Sequence, residues 1–350
     1  MKNKVTVRIG NLASFIVDRK SLFSTTIATV LLILLALLSM GSGEFYISPL
    51  NSLKAILGVG ESFDQTIIFE FRLPRIVMAI LVGIGLATAG AILQGISRNP
   101  LGSPDIIGIT AGASFAVVLF LALFSNESNA LTVSQDWMPL FAFAGAMITA
   151  VIVFMLSWKN GIAPFRMLLI GIGISALMHA GTTVLMLVGP IYQASQANIW
   201  ITGSIYGSNW TEVRMISIWI SLLFIMTLAM TREMNILALG DNLAKGVGSS
   251  VQKSRTILLL LCAGLTGASV AFAGGIGFVG LIAPHIAKRI VGPRFGSMVG
   301  LSAVVGAILV LVADWIARVA FAPIEVPAGV WTAVIGAPYF IYLLIKQRNR

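Results

Sequence analysis

Side chains that commonly bind metals or move protons are sparse in this chain, and their spacing builds no catalytic site. The two histidines, His179 and His285, lie far apart on different elements. No cluster of Cys, His and carboxylate has metal-ligand spacing. The single cysteine, Cys262, sits in an apolar run and reads as a small buried residue rather than a nucleophile. His285 reads as a packed, hydrogen-bonded residue. There is no G-x-x-x-x-G-K-[ST] loop to cradle a nucleotide and no G-x-S-x-G nucleophile elbow. Mid-membrane carboxylates of the kind proton-coupled carriers need are nearly absent. Asp314 stands four residues before Arg318, the spacing of a local ion pair on a helix. The expectation is therefore no catalytic residue, no metal and no cofactor. If the chain moves a solute uphill, the energy arrives through another chain.

Four polar stretches carry the remaining information. Arg72-Leu73-Pro74-Arg75 opens an apolar run, with proline suited to a first helical turn and both arginines on one face. They fit either snorkelling to headgroups or exposed docking of a partner's carboxylates. The run Arg98 to Ala113, with Pro100, Pro104 and several glycines, reads as a tight turn in which Asp105 caps the next helix. Asn235 to Gly248 is a longer polar interruption with Leu239, Leu243 and Val247 at helical spacing. Asp241 fits the cap of a short helix ending at Gly246 or Gly248. Such a helix can lie on a membrane or enter a groove on a soluble partner. The fourth stretch, Gly277 to Arg289, is a short span containing Pro284 with a basic end.

The elements that position these stretches follow from composition. Of 350 residues, 57% are hydrophobic and 10% charged. Soluble domains carry about 25% charged residues, so the natural solvent is a bilayer. Stretches free of Asp, Glu, Lys and Arg occupy 21–43, 76–97, 106–126, 137–158, 167–211, 215–231, 256–287, 295–313 and 326–345. A helical span takes about 20 residues. The run 256–287 is split by Gly274, Gly275 and Gly277 into a helix, a turn and a shorter helix. The run 167–211 holds one span to about Val188, followed after Pro190 by a short polar helix. The first run follows a long basic lead and reads as a retained span, not a cleaved signal. Ten spans result, with both termini on one side. Placing that side in the cytoplasm puts 18 of the 23 Lys and Arg residues inside. This bias obeys the positive-inside rule, explains the +10 net charge and makes nucleic acid an unneeded partner. The fold class is all-α, a single membrane domain over 1–350. It has a cytoplasmic lead at 1–20 and a cytoplasmic coupling segment at 232–255.

Taken together and in order, the four stretches resemble the permease family of ABC importers for ferric siderophores, haem and cobalamin. The resemblance runs from the first span to the C-terminus. It implies a bacterial cytoplasmic-membrane pore of two such subunits, identical or paralogous. A cytosolic ABC ATPase dimer would lie below, and an extracytoplasmic solute-binding protein would deliver cargo from above. It implies binding-protein docking by Arg72, Arg75 and Arg318. It implies ATPase coupling through Leu237, Ala238, Leu239, Gly240, Asp241, Ala244 and Gly248. Trp200, Gly203 and Ser204 would line the path, with an inner gate near Ala163 and Pro164. Here the gate sequence is Ala-Pro-Phe-Arg, where related members carry small hydroxylated residues.

The mechanism so implied is alternating access through a weakly binding, mostly neutral cavity that releases its cargo readily. Ferric siderophore is the expected cargo, with cobalamin or haem as alternatives on the same fold. Two readings from other classes are an ion-coupled secondary carrier, which would need a functional mid-membrane carboxylate, and a non-transporting membrane scaffold.

Overall fold

The structure is a computed structural model, and it describes residues 4–9, 13–43, 45–125, 131–159, 164–188 and 191–348. The lead is not featureless. Strands β1 (Lys4–Ile9) and β2 (Ala13–Asp18) pair as an antiparallel hairpin, with Lys4 opposite Asp18 and Ile9 opposite Ala13. Asp18 then caps the first helix through the Lys20 amide.

Apart from one isolated bridge between Ser125 and Leu131, the regular elements described after the hairpin are helical. In chain order the helices are α1 (Arg19–Gly41), α2 (Pro49–Ile56), α3 (Ser62–Thr66), α4 (Leu73–Ser97), α5 (Ile109–Leu123), α6 (Met138–Ser157), α7 (Pro164–Val188) and α8 (Ile191–Thr202). Then come α9 (Trp210–Ala229), α10 (Thr231–Leu237), α11 (Asp241–Gly246), α12 (Val251–Ala273), α13 (Val279–Val291), α14 (Phe295–Val319) and α15 (Ala328–Arg348). Among the described residues eight helical segments are long and apolar enough to cross a membrane. Against the ten spans expected, the shorter helices include α5, apolar over fifteen residues, and α13, which runs for thirteen. The long runs divide where expected. Residue 274 ends α12 as a left-handed glycine, and α8 is the short helix that follows α7.

One boundary differs from the sequence reading. Residues 72–75 do not start a helix, because the helix is continuous from Ser62 and passes through a π-helical turn over Ile67–Arg72. Pro74 lacks the amide that an α-helical register would use, and a widened turn just before it absorbs the misfit.

The core is α4, wrapped by α12, α13 and α14. Backbones approach closely enough to exclude side chains: a Cβ on Gly83 would strike the backbone of Gly306 and Ala307, and one on Gly90 would strike Gly280. Small residues serve this role in lipid, where apolar surface alone gives helices little reason to associate. By contrast, α1 and α7 turn most of their apolar side chains outward.

Candidate functional site

Three clusters of polar residues survive in this apolar frame, one at each end and one between. The first gathers the C-terminus of α1, the π turn, α14 and the loop before α15. Arg75 Nε lies 3.0 Å from both carboxylate oxygens of Asp314, and its Nη2 is 2.9 Å from Asp314 Oδ1. Arg75 Nη1 donates to Glu325 Oε1 at 3.1 Å and lies 2.9 Å from Oε2. The Tyr206 ring lies 5.8 Å from the same guanidinium. Arg72 donates from Nη1 to Met40 O at 2.6 Å and from Nη2 to Phe45 O. Arg318 Nη2 donates to Ser39 O at 2.6 Å and to Ser39 Oγ at 2.8 Å.

These contacts correct two expectations. Arg72 and Arg75 are not exposed: they keep 6% and 8% of their accessible surface. Their guanidiniums are consumed by carbonyls and carboxylates that would otherwise be orphaned at this depth. Asp314 is not the local partner of Arg318 by hydrogen bonding. It is bound by Arg75, 239 positions away in sequence, while Arg318 reaches across to α1.

The second cluster is at the opposite end, at 232–255. Arg98 closes α4 in a left-handed conformation and donates from Nη2 to Leu237 O at 2.8 Å and to Asp241 Oδ1 at 2.7 Å. Arg255 of α12 binds the same carboxylate with both nitrogens, at 2.9 and 2.7 Å. Partial burial works to raise the Asp241 carboxyl, but the hydrogen bonds and charges of Arg255 and Arg98 outweigh it and hold the group below the usual carboxylate range. Asp241 is therefore not the helix cap expected of it. Gly240, at φ +110°, takes the cap position, and the carboxylate spends its lone pairs on two arginines. The other end follows the sequence reading, since Gly248 is left-handed just past α11. Glu233 accepts from Ser249 and Ser254, and Asn235 accepts from the Phe295 amide. Leu237 and Ala244 face inward, while Ala238, Leu239, Leu243, Val247 and Gly248 are exposed. α11 is thus a short helix bolted to α4 and α12, with Leu243 exposed beside Asn242 and Lys245.

Between the ends, irregular backbone meets irregular backbone. The carbonyl of Trp200 accepts from Gly275 N at 3.2 Å, and Gly203 O accepts from Gly329 N at 3.0 Å. Gly203 is left-handed, and a Cβ there would press on Ile276. Ser204 Oγ accepts from the Tyr206 amide. Nearby, Asp105 misses the cap position, which Gly108 holds. It instead accepts from Thr110 Oγ1 at 2.8 Å, Ser103 Oγ at 3.0 Å and the Phe278 amide. This joins the turn before α5 to the start of α13. Of the expected gate, Ala163 lies outside the described residues, and Pro164 is the first residue of α7. The His285 ring lies edge-on to Tyr339 at 5.9 Å, with no hydrogen bond from either ring nitrogen to a described residue. Cys262 is buried, its thiol 3.4 Å from Ala89 O.

Sequence reasoning passed over Arg98, Arg255, Tyr206 and Glu325. The only signal for the first two was two arginines flanking the polar segment on apolar helices, which the positive-inside rule had already explained.

Comparison with known proteins is consistent along the whole chain. The FecCD transport family profile matches residues 31–346. The chain is 54% identical over 314 residues to the probable siderophore transport system permease protein YfhA of Bacillus subtilis, covering 89% of this chain and 91% of that one. It is 44% identical over 328 residues to the iron(3+)-hydroxamate import system permease protein FhuG of the same organism, covering 93% and 98%. A solved inward-facing structure described as a metal-chelate type ABC transporter superposes with a TM-score of 0.81 at 31% identity, covering 92% of this chain and 98% of the other.

Proposed function

The chain belongs to the FecCD transport family and is a multi-pass permease of the ABC-importer type, and from that premise we propose that it carries ferric siderophores across the bacterial cytoplasmic membrane by alternating access. Two copies, or this chain and a paralogue, form the pathway. A separate ATPase dimer supplies the energy and an extracytoplasmic binding protein supplies the cargo. Both termini lie in the cytoplasm, in keeping with the Lys and Arg bias. The siderophore assignment draws on the names of the relatives; the apolar, nearly uncharged spans suit a path that binds its cargo weakly.

The observation that carries the coupling half of this reading is the fixation of α11. A six-residue helix alone is too short to be stable in water. Here Asp241 ties it to α4 through Arg98 and to α12 through Arg255, so a push on its exposed Leu243 face moves two spans together. Leu237, Ala244 and Gly240 set its seat, and Ala238, Leu239 and Gly248 its contact surface.

At the other end, docking by Arg72, Arg75 and Arg318 needs a guanidinium to exchange an internal partner for a carboxylate of the binding protein. The contact of Arg75 with Glu325, whose side chain is 28% exposed, is the readiest to exchange. Arg72, bound to two carbonyls, acts by holding the surface in shape. Trp200, Gly203 and Ser204 line the path, with the gate at Ala163 and Pro164.

The test is uptake of labelled ferric siderophores, haem and cobalamin by cells lacking this gene, with and without ATP depletion. Loss of ATP-dependent siderophore uptake alone is expected. Loss of cobalamin or haem uptake instead would overturn the cargo. Unchanged uptake of all three would overturn the transporter reading.

A further inference from the structure

We propose that the cleft between α6, α7 and α12 is a binding site for one acyl chain of an anionic phospholipid from the cytoplasmic leaflet. The cleft is a cavity of about 290 Å³, closed at its α5 end by Ile109. For scale, an apolar cavity of about 150 Å³ stays dry and takes up a benzene ring.

Its lining excludes a polar occupant. Phe154, Met167 and Ala263 are apolar, and the two lining side chains with polar atoms are already engaged. The Thr256 hydroxyl donates to Gln252 O at 3.0 Å, and the Cys262 thiol points to Ala89 O. No group remains to orient a chelate or hold water. The mouth is formed by Met155 and Leu260, which are 67% and 50% exposed on the outer faces of α6 and α12. It therefore opens sideways, on the outer faces of α6 and α12, where an acyl chain has access.

The depth and charge of the mouth select the headgroup. Trp158 ends α6, half exposed, with its ring 5.4 Å from that of Phe154. An indole in this position marks the interface. Lys159 follows it directly, Arg166 precedes the lining residue Met167, and Lys253 lies one turn before the lining residue Thr256. Arg166 also reaches back to Ser157 O across the end of the cleft. Three cations, from the end of α6, the start of α7 and the start of α12, thus adjoin the lining of one apolar mouth. No acidic residue occurs in 137–211 or 251–273, and Glu233, which meets the start of α12, is bound by Ser249 and Ser254. Phosphate outside and hydrocarbon inside is the complement of this surface. Because the cleft includes the first turns of α7, the bound chain acts as a wedge beside the entrance to that helix.

The experiment uses the complete importer in vesicles, with phosphatidylglycerol bearing a photoreactive diazirine on one acyl chain. Phosphatidylcholine with the same labelled chain is the control. Labelling of lining peptides from α6, α7 and α12 is expected, with the anionic probe ahead. Leu260→Trp, a change at an exposed position, should abolish that labelling without altering the yield of folded importer. Lys159→Gln should lower labelling by the anionic probe about fivefold. Equal labelling by both lipids, or labelling insensitive to Leu260→Trp, would overturn the proposal. So would a crosslink from the cleft to a neighbouring subunit in place of lipid.

Discussion

The two ends of the molecule solve the same problem with opposite stoichiometry. At one end a single arginine, Arg75, serves two carboxylates, Asp314 and Glu325. At the other a single carboxylate, Asp241, serves two arginines, Arg98 and Arg255. Burial separates them. In the Arg75–Asp314 pair the side chains are 9% and 1% exposed, whereas Asp241 and Arg98 are 41% and 42% exposed and only Arg255, at 4%, is buried. A pair removed from water cannot lose one partner cheaply, because the survivor is stranded. A joint with one solvated side can be loosened there, between Asp241 and Arg98, since water replaces what is lost. The first arrangement suits a fixed frame, the second a hinge that transmits motion.

The contrast is broken most severely at Asp314. Asp314→Ala should destabilise the folded chain by about 3–5 kcal/mol, read as a large fall in the thermal midpoint of purified protein and poor membrane yield. An unchanged midpoint would mean that the buried pair contributes nothing to the frame. Reversing Arg72 and Arg75 to Glu is, for the same reason, a test of folding before it is a test of docking.

Asp241→Ala should cost less, about 2–3 kcal/mol, because the Arg98 half of the joint is screened while the buried Arg255 loses its carboxylate. Its signature is functional: ATP hydrolysis by the assembled importer continues while cargo uptake falls. Retained coupling would remove α11 from the transmission path. The same joint has a pH signature. The folded-state pKa of Asp241 is depressed, so its contribution is fully present above the unfolded carboxyl value of about 3.9 and is lost as pH falls through the lower folded value. The difference in midpoint between native protein and Asp241→Asn should therefore be constant near neutrality and shrink only in strong acid. A difference that shrinks near pH 6 would point to another group.

Glu325→Gln sharpens the comparison from the other side. It leaves Asp314 on Arg75 and should change stability by about 1 kcal/mol or less. If Arg75 exchanges Glu325 for a carboxylate of the binding protein, the variant binds that protein about fivefold more tightly. Unchanged affinity would confine Arg75 to the frame.

The sequence allowed the frame to be outlined but not wired. The long apolar helices, the break at Gly274 and the end of α11 near Gly248 were legible, because bilayer thickness and left-handed glycine are local constraints. The pairing of Arg75 with Asp314 was not, since helices on one face of a bundle offer many equivalent partners and only packing selects among them. Nor was the seat of Asp241, where cap chemistry suggested a local bond and two distant arginines offered stronger ones. The hairpin in the lead left a trace in the alternation Val5, Val7, Ile9 that basic residues obscured.

The smallest effect on stability, and the cleanest separation of frame from lever, is expected at Leu243. Its side chain is 63% exposed on the outer face of α11, while Ala244 beside it is fully buried. Leu243→Glu removes no internal contact of consequence, so the thermal midpoint should stay within about 0.5 kcal/mol of the native value. The charge is nonetheless placed where an apolar groove of the ATPase would close. A buried unpaired carboxylate costs several kcal/mol or forces the surfaces apart. Association with the ATPase, measured by co-purification, should fall together with uptake, whereas Asp241→Ala should keep association and lose only transmission. Should Leu243→Glu assemble and transport normally, the exposed face of α11 would be a lipid-facing surface rather than the place where force enters.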